Sequence, residues 1–593
     1  MNLDRLSFIL IFIFFGILSP LKALEDSKST IHKKENKNFL KICENSQIFW
    51  KEKNQIKLNS LEKKLICGDP KVEAWSEIPF NQAKYHLSNF LQARAYHQPT
   101  FQIKNGKLQV NPGKKTLSRK IILEGAPDFL KISKKRDVLG RPMTPELLDK
   151  IENWVLKQLR SQGYPCPTLK SKAYIEDGEI ILSLQPGPKQ KVFSITEEQV
   201  EGLSPGAFRK YDAFQLEKSF NADLLDLTST RNKKTGVLQS SYFTWTCETE
   251  GAKLYQRTFA GKPRLFTLGF GASTDEWGIF KSSWRHARLG KNASNLEASL
   301  YASYFQQSLE VTANWYAFSS LSRWFIRPKI NLHHELEDDF HFISLKSTLA
   351  LGRSYDNQEM NLFFYTGPSL DYTHTFSGAQ SGLTRFLTLD YFLEFKSHDW
   401  EIYQGDPQKG YHLSLWGSLG HEQAFSSLSA QSFRLQGQYL YNVLDYDPAR
   451  WIIGIRGGLD STYASEDPNT RDRLPPNLRY YLGGSQNLRG FSRKELPGEG
   501  GALSALWLSL EVRLANFFPL WIEPIVFFDI GLLGQQAFRF DKRLYYSPGI
   551  GIRLDSPIGV FRGTLAHGFQ TQNQTSDQNL SHWQWHLSYG EEF

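Results

Sequence analysis

The sequence predicts small α+β modules followed by a 16-stranded antiparallel transmembrane β-barrel. Three observations carry that prediction: a short apolar leader, a change of texture near Lys262-Pro263, and strict two-residue alternation in the C-terminal segments. Lipid leaves open sheet edges unsatisfied, so a membrane-crossing sheet must close on itself. Alternating strands with aromatic residues near their ends and no helical span fit such a barrel better than a soluble β-sandwich.

The chain has 593 residues, 40% hydrophobic and 14% aromatic, which is room for several domains. Residues 1–23 read as a secretory signal peptide. Arg5 supplies the charged start, Leu6 to Leu18 form a 13-residue apolar core, and Ala23 is a small residue at the cleavage point. A spanning helix needs about 20 apolar residues, so the run is short for an anchor. No cysteine follows the cut, which argues against a lipid-anchored form. Further on, the nearest apolar run is "WIEPIVFFDIGLLG" (521–534), interrupted by Glu523 and Asp529. The formal charge of +9 would suit nucleic acid. Export makes that partner improbable and favours a solvated basic surface with affinity for anionic lipid.

The four cysteines, Cys43, Cys67, Cys166 and Cys247, fit no zinc spacing. In an oxidising compartment Cys43–Cys67 is the expected local disulfide. Cys166 and Cys247 either pair or stay buried and reduced.

The N-terminal half mixes helix and strand signals. Thr144 is a good N-cap, Pro145 suits the first helical turn, and Gly163 can end the helix. Leu147, Leu148, Ile151, Val155 and Leu159 then share one face, which reads as core. "LQARAYHQPTF" (91–101) and "LRSQGYPCPTL" (159–169) repeat Leu, Tyr, Pro and Thr at an offset of 68. A strand pair follows each. In the first pair Asn105-Gly106 marks a two-residue hairpin. New strands open at "SRKIILEGA" (118–126) and "KQKVFSITEEQVEGL" (189–203). A weaker third unit has a helix near "NADLLDLTSTRNKKTG" and a strand at "SSYFTWTC". Units of about 70 residues suggest an array of modules. The expected divisions are 24–116, 117–188 and 189–263, with the barrel over 264–593. The first unit is irregular, and its opening strand has no clear place.

In the C-terminal half, "LWLSLEVRL" (506–514) alternates throughout: Leu506, Leu508, Leu510, Val512 and Leu514 against Trp507, Ser509, Glu511 and Arg513. Sixteen candidate strands share the 330 residues from Arg264 to Phe593, about 21 residues per strand and loop.

Several stretches make the resemblance specific. "LRGF" (488–491), in a long Gly-rich loop after the eleventh strand, and "FFDIG" (527–531), on the thirteenth, resemble the paired motifs of the BamA/TamA superfamily of outer-membrane assembly barrels (the bacterial surface antigen family). "TLGFGASTDEWG" (267–278) resembles that family's first hairpin, "SPGIGIRLDSPIGVFRGTLAHGF" (547–569) its penultimate strands, and "SYGEEF" its terminal strand signal. The resemblance implies that the modules are POTRA domains, in the periplasm, and that the barrel lies in the bacterial outer membrane. About three modules before the barrel is most like TamA. BamA-like proteins carry five, and two-partner secretion transporters carry two.

By this resemblance Gly483, Gly484, Arg489, Gly490 and Phe491 form a loop that enters the lumen. On the thirteenth strand Phe527, Asp529 and Gly531 share the inward face. Arg489 is expected to meet Asp529, with Glu511 as second candidate. A water-filled lumen would soften the loss of Arg489 to roughly 1–2 kcal/mol. The barrel is expected to close between a first strand holding Gly269, Phe270 and Gly271 and a last strand holding Trp583, Trp585, Gly590 and Phe593. The resemblance implies that this seam opens sideways to insert or export client outer-membrane or secreted proteins. The implied partners are those clients, outer-membrane lipid and a TamB-like protein spanning the periplasm. No cofactor or metal is implied, and no enzyme: G-x-S-x-G, H-E-x-x-H and Gly-rich phosphate loops are missing from the sequence. His333-His334 point to opposite faces of a strand, a poor metal site, and "PGKKT" (112–116) is half a phosphate loop. A passive porin would lack the modules and the inward loop.

Overall fold

The computed structural model describes residues 40–571 and 582–589, apart from 45, 52–55, 319–322, 379–380, 404–406, 465–471, 499, 519–521 and 557–558. The signal peptide expected over 1–23, and the seam residues Gly590 and Phe593, lie outside the described residues.

Up to Lys115 the chain forms one unit. Its strands are β1 (Leu40–Lys41), β2 (Ile48–Trp50), β3 (Thr100–Lys104) and β4 (Lys107–Asn111), in the order β1-β2-β4-β3. Strands β3 and β4 are joined by Asn105 (φ 49°) and Gly106 (φ 71°), the left-handed pair that matches hairpin twist. The opening strand that the sequence leaves unplaced is β2, which runs parallel to β4 (Ile48 opposite Leu108). At three residues it is too short to show alternation. Helix α1 (Ser60–Cys67) carries a capping box between Asn59 and Glu62, and α2 (Phe80–Ala93) buries Ala83, Leu87 and Leu91. Their apolar faces meet Ile48, Trp50, Leu108 and Val110. The Cys43–Cys67 disulfide is present, with Cα atoms 5.6 Å apart.

The second unit begins at Thr116 and contains two more modules of the same plan. One has β5 (Lys120–Glu124), α3 (Pro145–Ser161), β6 (Thr168–Tyr174) and β7 (Glu179–Gln185), ordered β5-β7-β6. The Thr144 hydroxyl caps α3 by accepting from Leu147 N at 3.2 Å, and Ile151, Val155 and Leu159 are fully buried against Ile180 and Leu182. The other has β8 (Val192–Glu197), α4 (Ala222–Thr235), β9 (Ser240–Cys247) and β10 (Ala252–Phe259), ordered β8-β10-β9. In both modules the opening strand pairs parallel with the last strand of the hairpin. Cys166 and Cys247 form a second disulfide, which ties these two modules together. Beside it the Trp245 indole N–H donates to the Pro165 carbonyl at 2.9 Å.

Sixteen antiparallel strands then close a barrel. They are β11 (Arg264–Ser273), β12 (Trp277–Leu289), β13 (Ser294–Ala302), β14 (Gln306–Asn314), β15 (Trp324–Leu336), β16 (His341–Asp356), β17 (Met360–Ser377) and β18 (Gly382–Ser397). After the short helix α5 (His398–Ile402) come β19 (Gly410–Gly420), β20 (Ala430–Asn442), β21 (Trp451–Ala464), β22 (Ser504–Leu514), β23 (Ile522–Gly534), β24 (Leu544–Ser556), β25 (Gly559–Gln570) and β26 (His582–Tyr589). Outward positions such as Leu508, Leu510, Val526 and Ile550 are exposed, whereas Ser509, Glu511 and Asp529 are buried.

Modules two and three rest on turns at the near end of this barrel. Arg231 of α4 donates to Asp356 at 2.7 Å and also pairs with Glu401. Lys210 Nζ donates to the carbonyls of Asn292 and Ala293, both at 2.7 Å, and lies over the Tyr316 ring. From module two, Trp154 donates to Asp447 at 2.9 Å, and Arg136 stacks on Tyr446.

Closing 24-residue and 81-residue loops contributes about 3 and about 4–5 kcal/mol in the chain-entropy account. Peptide maps of non-reduced protein taken from membranes should therefore contain both disulfides. Serine at Cys43 and Cys67 should speed hydrogen exchange in β2 and β4 and leave the barrel unchanged. Free thiols at these positions in the native protein would contradict the assignment.

Candidate functional site

The site is built from strands β22 and β23 and one loop. On β22 and β23 the two-residue period turns Ser509, Glu511, Phe527, Asp529 and Gly531 to the lumen, while Leu508, Leu510, Val526 and Phe528 face out. Between β21 and β22 the chain does not simply turn. The described residues between Asp472 and Leu503 fold back inside, with bridges Tyr480–Ala502 and Leu482–Leu496. Gly483 and Gly484, at φ 119° and 99°, make the reversal in a region that L side chains avoid. Asn487 Oδ1 accepts from Gly483 N and Leu488 N, both at 2.7 Å, and holds the turn shut.

This loop, the sixth on the far side of the barrel, delivers Arg489 to the wall. Its Nε donates to Asp529 Oδ2 at 2.9 Å and its Nη2 to Asp529 Oδ1 at 2.6 Å, a bidentate pair. Its Nη1 donates to Glu511 Oε2 at 2.9 Å, and its Nη2 also reaches Ser509 Oγ at 2.9 Å. Even its backbone N–H donates to Asp529, at 3.1 Å. The guanidinium lies 3.3 Å from the centre of the Phe527 ring. Glu511 also accepts from Arg562 (2.7 Å) and Arg513 (3.0 Å). The loop comes this close because two residues lack a side chain. A Cβ on Gly490 would lie 2.5 Å from Gly568 N, and one on Gly531 would lie 2.7 Å from Leu488. Phe491 is fully buried and meets Tyr545 and His582 edge to face.

From Arg489 the contacts run to the seam. Ser485 N donates to Asp275 Oδ2 at 2.6 Å, in the turn between β11 and β12. Arg493 pairs with Glu276 and Glu337, and Lys494 with Glu335. On β26, Gln584 donates to Ser492 Oγ at 3.1 Å. His586 lies 2.9 Å from both Asp275 Oδ1 and the Arg489 carbonyl. Trp583 and Trp585 face outward, as does Phe270 on β11. The described register of the seam is Ala272 opposite Tyr589 and Ser273 opposite Ser588, with Thr274 N donating to Leu587 O at 2.9 Å. Gly269 and Gly271 lie on β11 before these pairs.

The structure thus joins Arg489 to Asp529 and Glu511 at once, where the sequence reading ranks them as first and second candidates. Sequence reasoning missed Ser509, Arg513, Arg562, Asp275 and His586. Inward parity could have nominated Ser509, Arg513 and His586, but the loop's route to the first and last strands has no sequence signature. His333 and His334 diverge, the first toward Glu335 and the second toward His341.

One expectation needs correction. The softened 1–2 kcal/mol for losing Arg489 assumed a wet site. Arg489, Asp529 and Glu511 are 1%, 0% and 2% exposed, so the pair is shielded from bulk solvent. Breaking such a buried pair costs about 3–5 kcal/mol. Arg489→Ala should therefore lower the temperature at which the barrel loses its heat-modifiable mobility in electrophoresis. Arg489→Lys should recover only part, because an ammonium cannot make the bidentate pair. Wild-type heat resistance in Arg489→Ala would contradict this geometry.

A sequence profile described as the Omp85 superfamily domain matches residues 259–593. Among solved structures, the chain is similar to BamA from Haemophilus ducreyi lacking POTRA domains 1–3, at 14% identity and TM-score 0.46, over 80% of this chain and 100% of that one. It is also similar to CdiB from Acinetobacter baumannii, at 16% identity and TM-score 0.43, over 90% and 99%. A third similarity is to POTRA domains 3–5 of Haemophilus influenzae BamA, at 15% identity and TM-score 0.25, over 36% and 95%. The profile match spans more than half of the chain and coincides with the closed barrel and its Arg489 loop: this protein belongs to the Omp85 superfamily.

Proposed function

We propose that this protein is a TamA-type assembly factor that inserts or exports client proteins through the seam between β11 and β26, without catalysis or cofactor. The observation that carries this reading is the internal fastening of the seam. Loop six is anchored on the wall by Arg489 and reaches both sides of the seam, through Asp275 and Glu276 on one and Gln584 and His586 on the other.

The mechanism is strand addition. An opened seam exposes the edges of β11 and β26, and a client strand pairs there, satisfying its main-chain groups within the membrane. Gly269 and Gly271 weaken β11 as a packing partner. The outward Trp583 and Trp585 hold β26 in lipid without fixing it to β11. The modules, divided at 116, 188 and 263, supply further sheet edges for a TamB-like partner on the periplasmic side. Their number favours TamA over a BamA-like insertase. A second reading, a two-partner secretion transporter, draws support from a lumenal chamber of about 710 Å³ lined by polar and charged groups, among them Lys329, Asp390 and Arg434.

The observed register supplies the cross-link directly. Ser273 faces Ser588, so cysteines there are better placed than at Gly269 or Gly271 paired with Gln584, His586 or Ser588. Oxidised Ser273→Cys/Ser588→Cys protein should lose delivery of a client barrel into vesicles, and reduction should restore it. Full activity with a quantitatively cross-linked seam would remove the lateral mechanism and favour passage through the lumen.

A further inference from the structure

We propose that His586, as the doubly protonated imidazolium, is the pin that locks the seam from inside, and that the lock loosens as pH rises. The inference rests on the seam being the working element.

His586 is 5% exposed and lies on the inward face of β26. Its Nδ1 is 2.9 Å from Asp275 Oδ1, and its Nε2 is 2.9 Å from the carbonyl oxygen of Arg489. A carbonyl oxygen only accepts, and so does an ionised carboxylate. A neutral imidazole carries one N–H, so it would turn a lone pair toward one of these acceptors. Only the imidazolium donates to both.

Asp275 stays ionised. Burial pushes its carboxyl up, but the hydrogen bond and charge of His586, with help from Ser485, outweigh this and hold it at about 2.

No other charge takes over the role of Asp275. On β26 itself, His582 pairs with Glu495. On the β11–β12 turn, Glu276 is taken by Arg493. On loop six, the Arg489 guanidinium is directed at Asp529 and Glu511, and Arg493 also pairs with Glu337. On β25, Arg562 reaches Glu511, and His567 packs on Trp583. Among these groups Asp275 is the carboxylate in contact with the ring.

The position makes this contact a pin. His586 joins the first hairpin, the last strand and loop six at one point, a few residues from the described pairs of the seam ladder. Histidine changes charge between about pH 5 and 8. The two bonds are present together while the ring carries both protons. When the ring loses one, one bond and the ion pair with Asp275 are lost, so the seam should open more readily at high pH.

All four native cysteines are in disulfides, so Phe270→Cys and Leu587→Cys can be spin-labelled on either side of the seam in the full chain. Both positions face outward, at 71% and 53% exposed. Pulsed distance measurements in nanodiscs at pH 5.5 and 8.5 should show a longer-distance population that grows about tenfold at the higher pH, as expected for one charge-assisted hydrogen bond. With His586→Gln, whose two N–H donors sit on one nitrogen and cannot span the ring's width to both acceptors, that population should be large at both pH values. With Asp275→Asn, the side-chain amide donates to a neutral ring, whose one N–H still serves Arg489. That variant should stay closed at both. A pH-independent native distribution, or titration that persists in His586→Gln or Asp275→Asn, would overturn the proposal. The distances report the pin alone. If they titrate as stated while the Ser273–Ser588 cross-linked protein keeps full activity, the pin stands and the lateral insertion reading falls.

Discussion

The contact between Arg489 and the carboxylates of Asp529 and Glu511 is the interaction on which the rest of the barrel interior depends. A guanidinium in a loop has no reason to leave water unless its donors are met inside. Here the bidentate Asp529 pair, Glu511, Ser509 and the face of Phe527 meet them together. Two carboxylates among several arginines would be costly to bury singly. Together they neutralise one another, and the low dielectric then strengthens each bond. The loop that carries Arg489 is thereby fixed to the wall and becomes a platform from which Ser485, Ser492 and Arg493 reach the first hairpin or the last strand.

That platform gives the seam a fastening beyond its own backbone ladder. The outward aromatic residues of β26 belong to the lipid, and its inward Gln584 and His586 belong to the loop. In the proposed mechanism a strand held this way separates from its neighbour without leaving the barrel wall. The near end has different anchors: Asp356 gathers Arg231 and Arg323 between module three and the barrel, and the Cys166–Cys247 disulfide joins module three to module two.

Much of this was legible in the sequence because it rests on period and parity. Alternation located the strands, and the positions of "LRGF" and "FFDIG" placed Arg489 opposite Asp529. Thr144-Pro145 and Asn105-Gly106 marked a helix start and a hairpin because capping and left-handed turns demand those residues. The rest was hidden for physical reasons. Strand β2 is too short to alternate. Cys166–Cys247 depends on how two modules meet. Asp275 and His586 are brought together by barrel closure, between residues some 310 positions apart, and no local pattern records that. The assumption of a wet lumen failed because loop six fills this part of it with Leu482, Leu488, Phe491 and Leu496.

The wall contact of Arg489 on β22 and β23 holds in place the loop that fastens the seam. Hydrogen exchange of the β11 amides, compared between the native protein and Arg489→Ala, tests it most directly. Among the described residues the Arg489 side chain bonds to β22 and β23, whereas its main-chain carbonyl meets His586 on β26, so an effect confined to the lost side chain would leave β11 protected. Exchange should be faster across Leu268 to Ser273 and in β26, and unchanged in β5 to β7 of module two. Native protection of β11 in the variant would contradict it.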